Sequence, residues 1–348
     1  MHPEKTKRIR IAVVGLRFGE SIVRELLDAK NKELFELTGV CDINSEQART
    51  IAAKYSVEIY PSLDIILLDT SIQAVALITP PAGRAALLKK VIAAGKDVMT
   101  TKPFDVDADA GLEILVEAEK LGRVIHLNSP SPTPSADLRQ IQTIIDTRDL
   151  GRPIACRADV WANYREVPDG TWYDDPARCP VAPIFRLGIY LINDIVRFFG
   201  EPASVNVIHS QVFTKRPTPD NAQMTIGFTN GAIATIFASF AINDGQPYRN
   251  SLTMNFENGT IYRNVTPLPA DTMAHGAQIT FAGLRDGKRV VEEFTTDQYS
   301  GEYLWHEFYH AVNGEKMAGA LTPKQIVDGI RVINAMRRAE LSGKTEAI

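Results

Sequence analysis

The chain has 348 residues, of which 45% are hydrophobic and 23% are charged, and its formal net charge is −4. This length favours two domains, the composition is typical of a globular protein, and the acidic balance argues against nucleic acid as a partner. Three widely spaced cysteines, the absence of a signal peptide and the absence of an apolar run of ~18 residues predict a cytoplasmic protein that does not cross a membrane.

The first predicted unit consists of a strand, a glycine turn, a helix and a second strand. Residues 9–14 form an apolar run that ends at Gly15, and residues 34–41 form a second run that ends at Asp42. This layout is typical of dinucleotide binding, in which backbone N–H groups at the helix N-terminus hold the pyrophosphate and the acid binds the ribose hydroxyls. We therefore predict a cofactor site formed by Gly15, Leu16, Arg17, Phe18, Gly19 and Asp42.

The glycine turn departs from the motif G-x-G-x-x-G. Arg17 and Glu20 stand where the second and third glycines belong, and Gly19 restores the turn only if one residue is deleted. Arg17 must therefore turn away, contact the phosphate or weaken binding. A βαβ unit that binds no ligand remains an alternative.

Strands and helices continue to alternate up to residue 127. Helices are predicted at residues 45–55, 63–68, 84–94 and 107–121, and strands at residues 74–78, 97–100 and 124–127. Strands separated by helices of this length form right-handed crossovers in a parallel sheet. The expectation for residues 1–127 is a Rossmann-type, doubly wound dinucleotide-binding domain.

The proline-rich residues 129–134 are predicted to link this domain to a second one, residues 128–348. Asn230-Gly231, Asn258-Gly259 and Asp286-Gly287 lie beside strand-like runs and predict hairpins. Helices are predicted at residues 188–199, 299–313 and 323–341, and the last could pack back on the first domain. The second domain is thus expected to be α+β, with a large open, mainly antiparallel sheet for substrate binding and oligomerisation.

Two further motifs carry a family resemblance. Residues 94–103, AGKDVMTTKP, resemble the A-G-K-x-V-x-x-E-K-P segment of the glucose–fructose oxidoreductase and inositol dehydrogenase (Gfo/Idh/MocA) family, with Lys102 at the family's lysine. Thr79-Pro80-Pro81 resembles the turn beneath the family's cofactor. Residues 186–193, RLGIYLIN, resemble D-x-G-x-H-x-x-D in the variant with tyrosine, which places Tyr190 at the proton-transfer position and Asn193 at the second acid.

The resemblance implies an NAD(P)-dependent oxidoreductase that interconverts a hydroxyl and a carbonyl on a sugar, cyclitol or related polyol. Lys102 and Tyr190 are the implied catalytic residues. A phenol titrates near pH 10, so Tyr190 needs a nearby ammonium, for which Lys102 is the candidate. Simpler alternatives are that Tyr190 only packs against the sheet and that Lys102 only binds a phosphate or the nicotinamide ribose. Asp42 favours NAD, with NADP as the alternative.

Substrate binding and assembly are predicted less directly. Arg186 replaces the family's first aspartate and either clamps a substrate carboxylate or phosphate, which would make the substrate anionic, or marks lost activity. Asn128, Trp161, Asn163 and Asn193 are further pocket candidates. The resemblance also implies a homodimer or homotetramer that covers a broad apolar face of the open sheet.

Three other functions remain as alternatives. The chain could use NAD in a non-redox glycoside hydrolysis, as some members of the family do, or bind a dinucleotide without turnover. Residues 306–310 spell H-E-x-x-H, which could bind zinc with Glu307 as the general base of a peptidase. Because no third ligand stands out, we predict no metal.

Overall fold

The computed structural model describes residues 8–266, 276–315 and 318–348. The chain forms two compact units, each described separately. Unit 1 comprises Met1–Thr133 and Tyr303–Pro323, and unit 2 comprises Pro134–Glu302 and Lys324–Ile348. The predicted boundary lies after residue 127, whereas the units divide at Thr133, and the later segment in unit 1 is Tyr303–Pro323 rather than the predicted last helix at residues 323–341.

The helices lie close to the predicted ranges in unit 1 and differ more in unit 2. Those of the described residues are α1 (Leu16–Leu27), α2 (Ala29–Lys32), α3 (Ser45–Tyr55), α4 (Leu63–Leu68), α5 (Arg84–Ala93), α6 (Ala108–Lys120), α7 (Ala136–Thr147), α8 (Ile189–Phe199), α9 (Trp305–Val312) and α10 (Pro323–Ser342). None of them is long and apolar enough to cross a membrane.

Unit 1 contains a parallel sheet. Its strands in the described part of the chain are β1 (Ile9–Val14), β2 (Phe35–Cys41), β3 (Glu58–Ile59), β4 (Ala74–Leu77), β5 (Asp97–Thr100) and β6 (Ile125–Leu127). They lie in the order β3-β2-β1-β4-β5-β6, and every pairing is parallel. The predicted doubly wound sheet is confirmed.

The carboxyl ends of these strands are in register. Val14 lies opposite both Cys41 and Leu77, Leu77 lies opposite Thr100, and Thr100 lies opposite Leu127. The residues that follow the five strands therefore meet at one edge, which is where open α/β sheets bind ligands.

Helix α9 belongs to the core of unit 1. The Phe35 ring lies 5.4 Å from that of Trp305, 6.0 Å from Phe308 and 6.1 Å from Tyr309, measured between centroids. The Trp305 indole N–H donates to Glu25 at 2.8 Å. The predicted helix at residues 299–313 begins later in the structure, at Trp305. From this residue on, the apolar side chains of the helix pack against Phe35.

Unit 2 contains a larger, mainly antiparallel sheet, as predicted. Its strands within the described ranges are β7 (Pro153–Ala162), β8 (Pro202–Ser210), β9 (Asn221–Phe228), β10 (Ile233–Ser239), β11 (Tyr248–Phe256), β12 (Gly259–Arg263), β13 (Ala277–Arg285), β14 (Lys288–Thr296) and β15 (Glu346–Ala347). The order is β14-β13-β12-β11-β7-β10-β9-β8-β15. All three predicted hairpins are present, and the central pair β7–β10 is parallel.

One face of the second sheet packs against helices. Residues of α7, α8 and α10 join alternate strand residues in a single buried cluster. The last helix therefore contributes to the core of unit 2. A π-helical turn, Ile184–Gly188, precedes α8, so that helical structure begins before the predicted residue 188.

The opposite face of this sheet is not uniformly apolar at β7, and the predicted broad apolar face stays a prediction. Cys156, Ala158 and Val160 of β7 point into the core, so Arg157, Asp159 and Trp161 point to the other side. Across the sheet Arg157 pairs with two threonines, Thr235 of β10 and Thr253 of β11. This face is therefore mixed, with charges, hydroxyls and aromatic rings side by side.

Candidate functional site

The glycine turn after β1 is tight and closely packed. Gly15 has φ +88°, and a β-carbon there would lie 2.5 Å from the carbonyl oxygen of Ile78. A β-carbon at Gly19 would lie 3.3 Å from Val13 Cγ1, so this glycine allows α1 to pack closely on β1. Gly15 thus makes a tight turn against β4 and Gly19 allows close helix–strand packing, as the first and last glycines of the dinucleotide motif do.

Asp42 lies beside this turn. Its Oδ2 accepts a hydrogen bond from the backbone N–H of Leu16 at 2.6 Å, and its Oδ1 accepts one from Asn44 N–H at 2.8 Å. The carboxylate is held at the positive N-terminus of α1 while each oxygen keeps a lone pair for another donor. Arg17 and Phe18 are exposed, and the Phe18 ring lies 6.4 Å from that of Tyr303.

The Thr79-Pro80-Pro81 turn follows β4 and is anchored by a buried arginine. Pro80 is exposed and Pro81 is buried. The Arg84 guanidinium, which is 1% exposed, donates to the carbonyl oxygen of Thr79 and to the carbonyls of the loop after β5. These loop acceptors are Thr101 at 2.6 Å, Pro103, and Phe104 at 3.1 Å.

Lys102 lies in that loop, directly after β5. Its peptide bond to Pro103 is cis, and its backbone N–H donates to the side-chain oxygen of Asn128 at 3.1 Å. Asn128 is 2% exposed and follows β6, so the next strand along the sheet supports the position of Lys102. Asn128, predicted as a pocket residue, supports the lysine backbone in this structure.

Tyr190 lies in the first turn of α8 in unit 2. A β-carbon at Gly301 would lie 3.0 Å from Cε1 and 3.1 Å from Cδ1 of the tyrosine, and Gly301 has φ +105°. Beside this contact, the Ser300 hydroxyl donates to Asp194 Oδ1 at 2.5 Å. Asp194 is one helical turn beyond Tyr190, so two consecutive residues contact two consecutive turns of one helix face.

Asp194 is part of a buried ionic network. Arg263, 2% exposed, donates to Asp194 at 2.8 Å, to Asp137 at 2.9 Å and to the side-chain oxygen of Asn250 at 2.9 Å. Burial raises the pKa of Asp194, although Arg263 opposes this shift. The network fixes the middle of α8 to β11, β12 and α7.

Arg186 precedes Tyr190 by four residues and contacts an internal carboxylate. Its two terminal nitrogens donate to the two oxygens of Glu166 at 2.6 and 2.7 Å. The guanidinium carbon lies 4.0 Å from the ring centroid of Tyr173 and 4.7 Å from that of Phe240. Glu166 thus takes up the bidentate face of this guanidinium and balances its charge.

Glu166 is shared with a second arginine. Arg216, 4% exposed, contacts it at 3.1 Å and also pairs with Asp169 at 3.1 Å and with Asp174. Burial raises the pKa of Glu166, but Arg186 and Arg216 outweigh this effect, so its pKa lies below the ordinary value. The loop after β7 is therefore held by alternating charges.

The remaining predicted substrate residues have partners within unit 2. Asn193 is 6% exposed, and a β-carbon at Gly329 of α10 would overlap its side-chain oxygen, so this amide packs against the last helix. Trp161 is half-buried beneath the guanidinium of Arg249, 5.1 Å from the ring centroid. Asn163 accepts a hydrogen bond from Arg165 at 2.9 Å.

The structure thus groups the predicted residues by unit. Unit 1 holds the predicted residues that follow strands whose ends are in register: the glycine turn, Asp42, the Thr79-Pro80-Pro81 turn and Lys102. Unit 2 holds Arg186 and Tyr190, which lie one helical turn apart. Sequence reasoning missed the roles of Glu166 and Gly301 and the anchoring role of Arg84. Only Arg84 had a signal, since it lies near a position where the family commonly has histidine.

The H-E-x-x-H segment lies on α9. His306 is exposed, whereas Glu307 is only 5% exposed and lies on a different side of the helix. Within the described ranges no group of three His, Cys, Asp or Glu residues is arranged to hold a metal ion.

Comparison with known proteins gives the family. Residues 9–129 match the model described as "Oxidoreductase family, NAD-binding Rossmann fold", and residues 138–262 match the "GFO/IDH/MocA C-terminal domain". The chain belongs to the Gfo/Idh/MocA oxidoreductase family. The predicted family and the NAD-binding first domain are therefore confirmed.

Individual relatives are distant. An uncharacterised oxidoreductase of Schizosaccharomyces pombe is 28% identical over 161 residues, which cover 46% of this chain and 43% of the relative. A UDP-N-acetylglucosamine 3-dehydrogenase of Acidithiobacillus ferrooxidans is 25% identical over 219 residues, 62% of this chain and 63% of the relative. The chain thus spans less than two thirds of the length of either protein.

A solved structure supports the fold over the whole chain. GenD2 from gentamicin A biosynthesis, in complex with NAD, matches with a TM-score of 0.76 and 19% identity, covering 100% of this chain and 98% of the other. At this identity the likeness shows a shared fold. This Gfo/Idh/MocA chain therefore has the architecture of its family, while its substrate must be inferred from its own residues.

Proposed function

We propose that this protein is an NAD-dependent oxidoreductase that interconverts a hydroxyl and a carbonyl on a sugar, cyclitol or related polyol. The observation that carries the proposal is the placement of Lys102. It follows β5 at the ligand-binding edge of a parallel sheet, and both Asn128 and Arg84 hold the backbone around it.

The residues at this edge fit a dinucleotide. The positive φ of Gly15 and its close approach to the backbone of Ile78 suit the tight turn of a dinucleotide motif, and the carboxylate of Asp42 suits ribose hydroxyls. A carboxylate also repels a 2′-phosphate, which favours NAD over NADP. When bound, NAD supplies the nicotinamide ring that accepts or donates the hydride. The Thr79-Pro80-Pro81 turn would complete the cofactor contacts.

Two side chains are proposed to handle the proton and the developing charge. Tyr190 takes the hydroxyl proton in oxidation and returns it in reduction, and Lys102 polarises the substrate oxygen as a cation. The phenol normally titrates near pH 10, so it needs a positive neighbour in the working complex to act as a base at neutral pH.

The substrate is proposed to be an uncharged sugar or polyol, or one whose charge lies away from Arg186. Glu166 neutralises Arg186 through two hydrogen bonds, so this arginine offers little attraction to an anion. The Acidithiobacillus relative, named for dehydrogenation of a sugar nucleotide, supports a sugar-type substrate.

The decisive test is a nicotinamide absorbance assay with NAD⁺ and NADP⁺ against a panel of sugars, cyclitols and their phosphorylated or carboxylated forms. We expect NAD⁺ reduction by an uncharged member of the panel. Tyr190→Phe and Lys102→Met should each lower kcat about a hundredfold or more, while leaving NAD⁺ affinity within a few-fold for Tyr190→Phe.

Other outcomes point to other functions. Tightly retained NAD with glycoside cleavage and no net redox would replace the proposal with the non-redox hydrolase. Dinucleotide binding without turnover of any substrate class would indicate a binding protein. Failure to bind either dinucleotide would overturn the proposal as a whole.

A further inference from the structure

Two histidines converge on the exposed side of α9. The Nε2 atoms of His306 and His310 are 3.2 Å apart, and their ring centroids are 4.3 Å apart. The residues are one helical turn apart, so both imidazoles lie on the same helix face. Neither histidine contributes to the proposed redox chemistry.

This separation matches that of two ligands on one metal ion. Imidazole nitrogens bind Zn²⁺ at 2.0–2.1 Å, so two of them on a tetrahedral ion are about 3.3 Å apart. The Nε2 atoms therefore already have the spacing that bidentate ligation requires. In the metal-free protein these two atoms share a hydrogen bond, so a bound ion would replace its proton and take both Nε2 lone pairs.

A carboxylate orients one of the two rings. Glu315 Oε1 lies 2.7 Å from His310 Nδ1. A hydrogen bond from Nδ1–H to this carboxylate leaves the Nε2 lone pair available, which is the carboxylate–histidine–metal arrangement of many protein sites. Glu315 thus lies where it could orient His310 for metal binding.

We propose that His306 and His310 bind a divalent transition-metal ion such as Zn²⁺, Ni²⁺ or Cu²⁺, with water in the remaining positions. The site is structural, since Glu307 is buried on another side of α9 and cannot act on metal-bound water as a peptidase base. The opposite face of α9 packs Trp305 and Phe308 on Phe35, so the ion should stabilise α9 within unit 1.

The test is metal titration of the full-length, tag-free protein with ZnCl₂ by calorimetry, together with electron paramagnetic resonance after addition of one equivalent of Cu²⁺. We expect one ion per chain at this site and hyperfine coupling to two imidazole nitrogens. His306→Ala and His310→Ala should each weaken Zn²⁺ binding at least tenfold. Glu315→Gln should weaken it about 10–100-fold while both ligands remain.

His209→Ala is the matched control, because His209 is a surface histidine in unit 2 with Glu340 3.5 Å away. Its Zn²⁺ affinity should equal that of the wild type. Circular dichroism of each variant checks that α9 still folds. Wild-type protein that binds no ion, or binding that survives the His306→Ala/His310→Ala double change, would overturn the proposal.

Discussion

A single buried arginine joins two loops that follow neighbouring strands of unit 1. Arg84 donates to the carbonyl oxygens of Thr79, Thr101, Pro103 and Phe104. Burial lowers its pKa to about 10, which leaves the side chain charged at neutral pH. Carbonyl oxygens and the nearby carboxylate of Asp105 stabilise its charge, and these carbonyls flank the proposed catalytic lysine.

Replacement of Arg84 should be costly. Arg84→Met leaves several buried carbonyls without a donor, and we expect the free energy of unfolding to fall by about 3–5 kcal/mol. Arg84→Lys keeps the charge but not the planar fork, so its effect should be intermediate. Urea unfolding followed by circular dichroism measures both.

The control for this prediction is Arg49→Met, which changes an exposed arginine of α3. Its stability should stay within about 0.5 kcal/mol of the wild type. If Arg84→Met were as stable as Arg49→Met, the carbonyl contacts of Arg84 would contribute nothing to stability.

Residues whose roles are local could be predicted from the sequence, and residues with distant partners could not. The turn at Gly15 follows a strand directly, and its positive φ is a property of that turn. Arg186 and Glu166 are 20 residues apart in the sequence, and no sequence pattern identifies Glu166 as the partner of Arg186. The substrate clamp proposed for Arg186 from sequence alone did not consider an internal carboxylate.

At the scale of elements, a short segment lies along helix α8. Ser300 contacts Asp194 and the next residue, Gly301, contacts Tyr190. The hydroxyl–carboxylate bond anchors the segment, and the absence of a side chain at Gly301 lets its backbone lie against the ring. This segment is a positioning element for the proposed proton-transfer residue.

Gly301→Ala tests this positioning role. A β-carbon 3.0 Å from Tyr190 Cε1 must displace the ring or the segment, so we expect kcat to fall tenfold or more and the pH profile of kcat to shift. NAD⁺ affinity should be unchanged. Steady-state kinetics over a range of pH gives all three quantities.

Gly231→Ala is the control that distinguishes displacement of the Tyr190 ring from backbone strain as the cause of the Gly301→Ala effect. Gly231 has φ +88°, and a β-carbon added there would meet no atom within 4 Å, so alanine at this position adds only strain of about 1–3 kcal/mol. Equal losses of kcat in the two variants would show that Gly301 matters for stability alone.

Some elements of unit 2 were missed for reasons visible in the sequence. Helix α7 has Leu138, Ile141 and Ile144 at helical spacing, but it follows directly on the proline-rich residues 129–134. Strand β7 alternates apolar residues (Cys156, Ala158, Val160) with charged ones (Arg157, Asp159), a sequence signal that predicts a half-buried strand. The parallel β7–β10 pairing could not be predicted, because local pattern does not determine which distant strands pair.

At the scale of the whole molecule, acid should destabilise the protein through Glu166. Arg186 and Arg216 lower its pKa below the ordinary value of 4.5 in spite of burial. A carboxyl group with a lowered pKa in the folded state contributes stability above its unfolded pKa, and this contribution is lost as pH falls through the folded pKa.

Glu166→Gln should therefore have a pH-dependent effect. At pH 7 we expect the free energy of unfolding to fall by about 2–4 kcal/mol, because two arginines with little exposure lose a shared charge partner. The difference from wild type should narrow as pH falls below about 4.5, since the unfolded wild type then binds a proton at Glu166 that the folded protein binds only at lower pH. The difference in unfolding free energy is measured from urea unfolding midpoints of both proteins between pH 7 and pH 3.5.

The comparison variant is Glu293→Gln, which changes an exposed carboxylate on β14. It should have little effect at any pH in this range. A difference between Glu166→Gln and wild type that stayed constant with pH would contradict the role assigned to the Glu166 charge.

The return of residues 303–323 to unit 1 matters for recombination between relatives. The chain changes units after Thr133, Glu302 and Pro323, so neither unit is a contiguous cassette. A chimera joined only at Thr133 would pair Phe35 of one parent with Trp305 and Phe308 of the other. Exchange of unit 2 between this chain and a relative should therefore use three crossovers, which keep the aromatic core of unit 1 from a single parent.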